Sequence, residues 1–280
     1  MNMEVSFNGI WSQKNARTFK GSKKSFLRRN RMIQYEKDAN DILSLFSYQS
    51  SQYFMKSLLF RKQAEIDMID DSAIITWGPS LIIGGKFSDV ISETLKTKLR
   101  NSENSRYIYY PEGEWKSYVE NTFSDNLTER QINLYQHNQL IEINCQAELQ
   151  GIVQITDEWF QRDLPNAQLI KDELYSYLTI EDFLQNGFGL ALVIDDKVCG
   201  YCLSEYSIDN ECAINIWIDE KYRGLGYAKT MTNLFLKHSK NKNWNVFWGC
   251  SSENIPSNKT AQSTGFALHS KQNYFEWGKG

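Results

Sequence analysis

The sequence predicts an α/β protein with a mixed (α+β) sheet, built as two domains. Three features support this fold class. The chain has 280 residues, which is long for one hydrophobic core. An alternating strand at 213–218 runs through a glycine-rich turn into an amphipathic helix, and two further strands precede it with short Asp and Asn turns. The first half mixes helical and strand patterns, which indicates a smaller mixed α/β domain in front.

Composition limits the classes of protein to which the chain can belong. Hydrophobic residues make up 41% and charged residues 23%, as in globular proteins, and no run of about 18 apolar residues could span a bilayer. The net charge of −3 gives no reason to expect nucleic acid as a partner. The five cysteines lack disulfide-scaffold spacing, and no apolar signal segment opens the chain. We therefore expect a cytoplasmic protein without a membrane partner.

One segment departs from the even charge distribution. Residues 14–31 contain eight basic residues and no acidic one. A solvated lead-in is the favoured interpretation, while a presequence and an arm for nucleic acid or another acidic partner remain open.

The first half, predicted to form a domain over residues 1–137, shows no cluster of chemically reactive residues. Its patterns predict two helices within 35–63, a hairpin at 72–86, a helix at 90–99, a strand at 106–110 and a helix at 114–123. Residues 131–150 are polar and rich in Asn and Gln, and we interpret them as the passage between domains.

The second domain is predicted over residues 138–280. Its patterns predict helices at 156–164 and 179–186, then strands at 189–194, 198–206 and 212–218. On the third strand Ile214, Ile216 and Ile218 share one face, as in a half-buried strand. The predicted order ends with the helix after the glycine turn, a strand at 244–250, a short helix and a final strand.

The glycine turn is the strongest chemical signal. Gly224 and Gly226 lie where a helix begins, and a helix start offers unpaired amides and the positive end of the dipole to an anion such as a pyrophosphate. The segment lacks the third glycine and the acidic residue of a dinucleotide fingerprint. Gly85-Lys86 does not qualify as a phosphate loop of the Walker type, because Ser80 and Phe87 occupy two of its required positions.

The residue pattern of the glycine turn indicates a particular protein family. Arg223-x-x-Gly226-x-Ala228 after a strand, followed by Asn254, Ser257 and Gly265-Phe266, resembles the acyl-CoA loop and last helix of the GNAT superfamily of N-acetyltransferases. The resemblance covers about residues 150–280. It implies a GNAT-like acyl-CoA-binding domain with acetyl-CoA as co-substrate. The implied cofactor contacts are Ile218, Arg223, Gly224, Leu225, Gly226, Tyr227, Ala228, Asn254 and Ser257, the last two toward the pantetheine arm between splayed strands.

The same resemblance leaves the acid–base residues open. Family members often carry a carboxylate on or near the fourth strand of the domain, which corresponds here to 212–218. The face of this strand opposite the three isoleucines carries Ala213, Asn215 and Trp217, and none of these is acidic. Glu211 and Glu205 are the nearest carboxylates and the catalytic candidates, although each is more often a solvated acid. The family's tyrosine on the last helix corresponds to Ala261 or Thr260. Tyr274, Tyr222 or water would replace it, and Trp217 is expected in the core more than in an acceptor pocket.

The resemblance therefore predicts transfer of an acetyl group from acetyl-CoA to a primary amine of a small molecule or peptide. The departures keep a second class open, a catalytically weak CoA-binding regulatory or interaction module. A third interpretation makes residues 14–31 the arm for an acidic partner. No metal is predicted, because the histidines are scattered and Cys199 and Cys202 lie three apart in a strand pattern. The first half resembles the amino-terminal domain of one bacterial GNAT group.

Overall fold

The computed structural model describes residues 35–48, 53–102, 104–138 and 149–278. The basic segment 14–31 and Cys145 lie outside these ranges, as does half of the predicted passage between domains, residues 139–148. None of the helices in the described ranges is long and apolar enough to cross a membrane.

Helices and strands both contribute substantially, so the predicted mixed α/β class is confirmed. The helices are α1 (Tyr35–Ser44), α2 (Tyr53–Phe60), α3 (Asp89–Arg100), α4 (Glu114–Phe123), α5 (Asp157–Phe160), α6 (Ala167–Glu173), α7 (Ile180–Asn186), α8 (Tyr227–Asn241) and α9 (Ile255–Ser263). The strands are β1 (Glu65–Ile69), β2 (Ser72–Trp77), β3 (Ser80–Gly85), β4 (Arg106–Tyr109), β5 (Leu127–His137), β6 (Ile152–Gln154), β7 (Gly189–Ile194), β8 (Lys197–Ile208), β9 (Glu211–Ile218), β10 (Asn245–Ser251) and β11 (Phe266–Trp277).

The chain divides into two compact units. The first comprises residues 133–138 and 149–270, and the second comprises the described residues up to 132 together with 271–278. The units therefore change over at 132/133, within β5, and again at 270/271, within β11. The predicted division at 137/138 stays a prediction.

The first unit is a sheet with helices on both faces. Its strands follow the order β5-β10-β9-β8-β7-β6, antiparallel from β6 to β9 and parallel between β9 and β10. One face packs against α8, where Met231 and Phe235 are fully buried among apolar strand residues that include Ile214 and Ile218. The other face packs against α5 to α7 through Trp159, Ile170 and Phe183. β9 was predicted as half-buried, but its second face is covered too.

The second unit has its own core. Its strands follow the order β1-β2-β3-β4-β11, and the predicted hairpin is the β2–β3 pair, which turns at Gly78 and Pro79. The amphipathic face of α3 buries Ile91, Leu95 and Leu99 against this sheet, together with Trp115 from α4. Strand β1 was not predicted.

The polar stretch that begins at residue 131 was predicted as a linker, and this is wrong for 131–137, which form the end of β5. Side-chain amides on this strand donate to amide oxygens in distant segments. Asn133 Nδ2 donates to Asn258 Oδ1 at 2.8 Å, and Gln131 Nε2 donates to Asn273 Oδ1 at 2.9 Å. Polar groups that are paired in this way can lie in a sheet at little cost.

The predicted helix 156–164 is also partly wrong. Thr156 caps the short helix α5, which ends at Phe160, and a separate helix α6 starts at Ala167. Pro165 and Asn166, whose φ is +65°, separate the two helices. Helix α6 then runs into a 3-10 turn at Leu174–Ser176. This missed helix ends at Glu173, a residue of the candidate site.

Candidate active site

The glycine turn has the backbone geometry of an open anion site. After β9, a 3-10 turn at Glu220–Tyr222 leads to Gly224 and Gly226, whose φ angles are +75° and +88°, in the left-handed region that favours glycine. Gly226 is the N-cap of α8, and the first hydrogen bond of that helix runs from Thr230 N to Gly226 O at 3.0 Å. The amides before Thr230 therefore have no acceptor within the helix.

The space beside the turn is open. A methyl group added at Gly224 would meet no atom within 4 Å, and at Gly226 it would meet only Leu149 Cδ1 at 3.9 Å. Leu225 is 59% exposed between them. Arg223 Nε donates to Ile218 O at 3.0 Å, which holds the base of the guanidinium group against the end of β9. An anion can therefore approach the backbone closely, next to a cationic side chain.

Strands β9 and β10 separate next to this turn. Their parallel register covers three residue pairs, from Glu211 and Asn245 to Ala213 and Phe247. β9 continues to Ile218 and β10 continues to Ser251 beyond the last pair. The two strands thus splay along the half of β9 that leads to the glycine turn, and this half presents peptide groups toward the gap.

The start of α9 lies beside the part of β10 that continues past its last pair with β9. Asn254 is the N-cap, and its side chain accepts a hydrogen bond from Ser257 N at 3.1 Å. Ser257 Oγ accepts from Trp248 Nε1 at 3.0 Å. Asn254 is therefore the N-cap of α9, and Ser257 lies inside the first turn of the helix.

The interpretation of Glu205 as a solvated acid is wrong, because its side chain is fully buried. Its Oε1 accepts from the Tyr175 hydroxyl at 2.7 Å and from Asn215 Nδ2 at 2.9 Å. Its Oε2 is buried and has no hydrogen-bond partner among the residues that the structure describes. Burial, and then the nearby Glu173 carboxylate, raise the pKa of Glu205 well above its usual range.

A backbone irregularity aims Glu205 into this position. The register of β8 against β9 shifts between Glu205 and Ile208, and Tyr206 has a φ of +51°. A bulky residue at positive φ is strained, and β-bulges often redirect side chains beside functional sites. The tyrosine ring is fully buried, so packing holds the strained residue in place.

Glu173 is the second carboxylate of the cluster. Its Oε2 accepts from Asn215 Nδ2 at 3.0 Å, and Tyr201 also hydrogen-bonds its side chain. Burial raises the pKa of Glu173 to about 7, against the lowering effect of these two hydrogen bonds. Unlike Glu205 it is only partly buried. Asn215, on β9 just beyond the last β9–β10 pair, thus bridges two carboxylates.

Glu211, Tyr274 and Tyr222 were the other predicted acid–base residues. Glu211 starts β9 four residues before Asn215, about 13 Å along an extended strand. Ala261 is buried in the apolar core, and Tyr274 belongs to the second unit, where it stacks on Tyr109. Tyr222 is partly buried beside the glycine turn.

Trp217, which was expected in the core, packs against the core cluster on the α5–α7 face of the sheet. Trp217 is partly buried and stacks on Tyr201 at 5.8 Å between ring centroids, so the pair forms an aromatic surface beside Glu173. Cys199 and Cys202 are buried free thiols. In the described ranges, no three His, Cys, Asp or Glu side chains lie close enough together to hold a metal ion.

Sequence reasoning missed Glu173, Tyr175 and the bridging role of Asn215. Ala167, Ile170 and Leu174 are buried and recur at helical spacing directly after Pro165, a signal that could have identified α6 and the residues at its end. The proximity of Glu173 and Glu205, 32 positions apart, requires the fold.

Comparison with known proteins agrees with this architecture. A model of the family described as GNAT acetyltransferase matches residues 44–275. A search of curated proteins found no match. Among solved structures, a GCN5-related N-acetyltransferase-like protein from Streptococcus suis is 16% identical, with a TM-score of 0.67 over 87% of this chain and 99% of that one.

Two further structures are similar. A GNAT-family acetyltransferase from Colwellia psychrerythraea is 14% identical, with a TM-score of 0.51 over 86% of this chain and 97% of that one. A GCN5-related N-acetyltransferase from Kribbella flavida is 9% identical, with a TM-score of 0.53 over 89% and 97%. At these identities the structures support the fold, while the family match spans most of the chain. The chain therefore belongs to the GNAT acetyltransferase family.

Proposed function

We propose that this protein transfers the acetyl group of acetyl-CoA to a primary amine of a small molecule or peptide. The observation that supports this most strongly is the adjacency of the open glycine turn and the splayed half of β9 in one compact unit. The turn suits a pyrophosphate, and the gap between the strands suits an extended pantetheine arm that ends near Asn215.

The proposed cofactor contacts follow from this path. Backbone amides from Gly224 to Ala228, including those of Leu225, Gly226 and Tyr227, would bind the pyrophosphate, with the Arg223 guanidinium group adding positive charge. Ile218, at the end of β9 next to the glycine turn, would supply the first of the β9 peptide groups that face the pantetheine arm. Asn254 and Ser257 lie at the start of α9, beside the opposite strand, where their polar groups would meet the pantetheine amides. No metal is part of the proposal.

A specific observation keeps a second function in view. No carboxylate occupies β9 beyond Glu211, and the residue on α9 that corresponds to the family's tyrosine is the buried Ala261. A CoA-binding regulatory or interaction module would need neither group. It would bind acetyl-CoA without releasing CoA in the presence of amines. We favour the enzyme because the buried carboxylates beside Asn215 supply acid–base groups from other elements.

The binding claim is tested by Gly226→Val, with Gly113→Val as a matched control. Both glycines are helix N-caps with positive φ, +88° and +93°, and neither has an atom within 3.8 Å of an added methyl group. Gly113→Val carries at least as much backbone strain as Gly226→Val, because Gly226 has a ψ of −6° in the left-handed region and Gly113 has a ψ of −129° outside it. Only Gly226→Val puts a side chain beside the proposed pyrophosphate site.

We expect Gly226→Val to weaken acetyl-CoA binding by at least about tenfold, equivalent to about 1.4 kcal/mol, in titration calorimetry. Gly113→Val should bind as the unsubstituted protein does. Bound acetyl-CoA should also raise Tm by mass action. Equal binding by all three proteins would contradict the proposed pyrophosphate site.

A further inference from the structure

We propose that Glu173 accepts the proton of the attacking amine, while Glu205 behind it stays protonated, the two acids being linked by Asn215. This inference rests on the proposed function and adds the identity and charge of its acid–base residues. It also assigns the acceptor to amines that arrive as cations, because an ionised Glu173 makes the site anionic.

The hydrogen bonds distinguish the two acids. Glu205 receives donors only on Oε1, from Tyr175 and Asn215, while Oε2 is buried without a partner among the described residues. An ionised carboxylate with one bare, buried oxygen is far less stable than a neutral acid. Two carboxylates that share one Asn215 amide group also disfavour double ionisation. The inner acid, Glu205, is therefore the one that keeps its proton.

Glu173 has the position of the outer acid. It ends α6, is partly exposed, and its Oε2 lies 3.0 Å from Asn215 Nδ2, beside the opening of β9 from β10. Hydrogen bonds from Asn215 and Tyr201 favour its ionised form and lower its pKa, while the charge of the adjacent Asp172 raises it. The stacked rings of Tyr201 and Trp217 offer an apolar surface for the carbon next to the amine. The raised pKa of Glu173, about 7, matches proton transfer at neutral pH.

Ionised Glu173 takes one proton from the ammonium group, and the freed lone pair attacks the thioester carbonyl carbon. The C–N bond forms, the nitrogen loses a second proton to water, and the C–S bond breaks. The CoA thiolate takes up a proton from water, and Glu173 returns its proton to solvent. One proton is released per ammonium acetylated.

The test compares Glu173→Gln, Glu205→Gln and, as a control, Glu211→Gln. The probe is the fastest of spermine, glucosamine, lysine and a peptide with a free amino terminus in an assay of CoA release. Glu173→Gln should lower kcat/KM by about 10²-fold or more and remove the limb that rises through pH of about 7. Because Gln mimics a neutral acid, Glu205→Gln should retain kcat/KM within about tenfold, and Glu211→Gln within about twofold.

Acetyl-CoA affinity should stay unchanged in all three variants, which separates a catalytic effect from misfolding. If Glu173→Gln kept the turnover and the pH limb of the unsubstituted enzyme, or if Glu205→Gln alone abolished turnover, the assignment of roles would be overturned while the proposed function stood.

An infrared titration tests the pair without any acceptor. At a pH of about 9, where Glu173 with its pKa of about 7 is ionised, the unsubstituted protein should still show the C=O band of a protonated carboxyl group, and Glu205→Gln should lack it. Its absence from the unsubstituted protein would overturn the pair. If no amine released CoA, the proposed function would fail, and the presence or absence of this band would still support or overturn the shared proton.

Discussion

At the scale of residues, Asn258 is the polar anchor of α9. Its Oδ1 accepts from Asn133 Nδ2 at 2.8 Å and from the Tyr135 hydroxyl at 2.7 Å. Its Nδ2 donates to Ser251 O at 2.9 Å and to Asn254 O at 2.7 Å. This single side chain thus joins β5, β10 and the start of α9. Because Asn254 also caps that helix, the network fixes the residues proposed to meet pantetheine.

Substitution of Asn258 should be costly. Asn258→Ala leaves the buried Tyr135 hydroxyl and the Asn133 amide without their acceptor, and we expect a loss of about 2 to 4 kcal/mol in the free energy of unfolding. Thr260→Ala, on the same helix, removes only a bond to Pro256 O and should cost less than about 0.5 kcal/mol. Urea unfolding of both variants measures the difference. Equal losses would show that the network adds nothing specific.

At the scale of elements, sequence periodicity predicts what local signals encode. The strands β7 to β9 were predicted within two residues at each end, and a helix was predicted directly after the glycine turn, because alternation, turn residues and helical spacing agree there. The candidate cofactor residues come from this region and from the start of α9. These residues can be predicted because each set of them lies within one short stretch of the sequence.

The prediction fails where long-range contacts decide. The end of β5 looks like a linker because its Asn and Gln side chains find partners only in distant segments, as Asn133 does in Asn258. The carboxylate pair is hidden for the same reason. Glu205 reads as a surface acid in an alternating strand, and only the bulge at Tyr206 and the packing of α6 bury it beside Glu173. A buried polar pair has no local signature.

At the scale of the whole molecule, the raised pKa values predict how stability depends on pH. A carboxyl group whose pKa is raised on folding stabilises the folded state below its unfolded pKa, about 4.3, and loses that contribution as pH rises through the folded value. For Glu173 the folded value is about 7, and Glu205 is shifted in the same direction. The free energy of unfolding should therefore fall between about pH 5 and pH 8.

Glu205→Gln isolates this effect, because it leaves one acid where two compete for a proton. Over that range we expect the unsubstituted protein to lose more stability than the variant does, because the contribution of Glu205 is absent from the variant. Denaturant unfolding at the two pH values measures the difference. Parallel pH profiles for the two proteins would mean that Glu205 titrates as an ordinary solvated acid.

Acetyl transfer itself is the central claim, and one measurement addresses it directly. The protein is incubated with acetyl-CoA carrying a ¹³C-labelled acetyl group and with polyamines, amino sugars, amino acids and peptides, and the products are identified by mass spectrometry. We predict a labelled amide on one class of amine, formed together with free CoA, reduced in Gly226→Val at limiting acetyl-CoA and retained in Gly113→Val. Acetyl-CoA binding without a labelled amide on any acceptor would contradict the enzyme and favour the CoA-binding module.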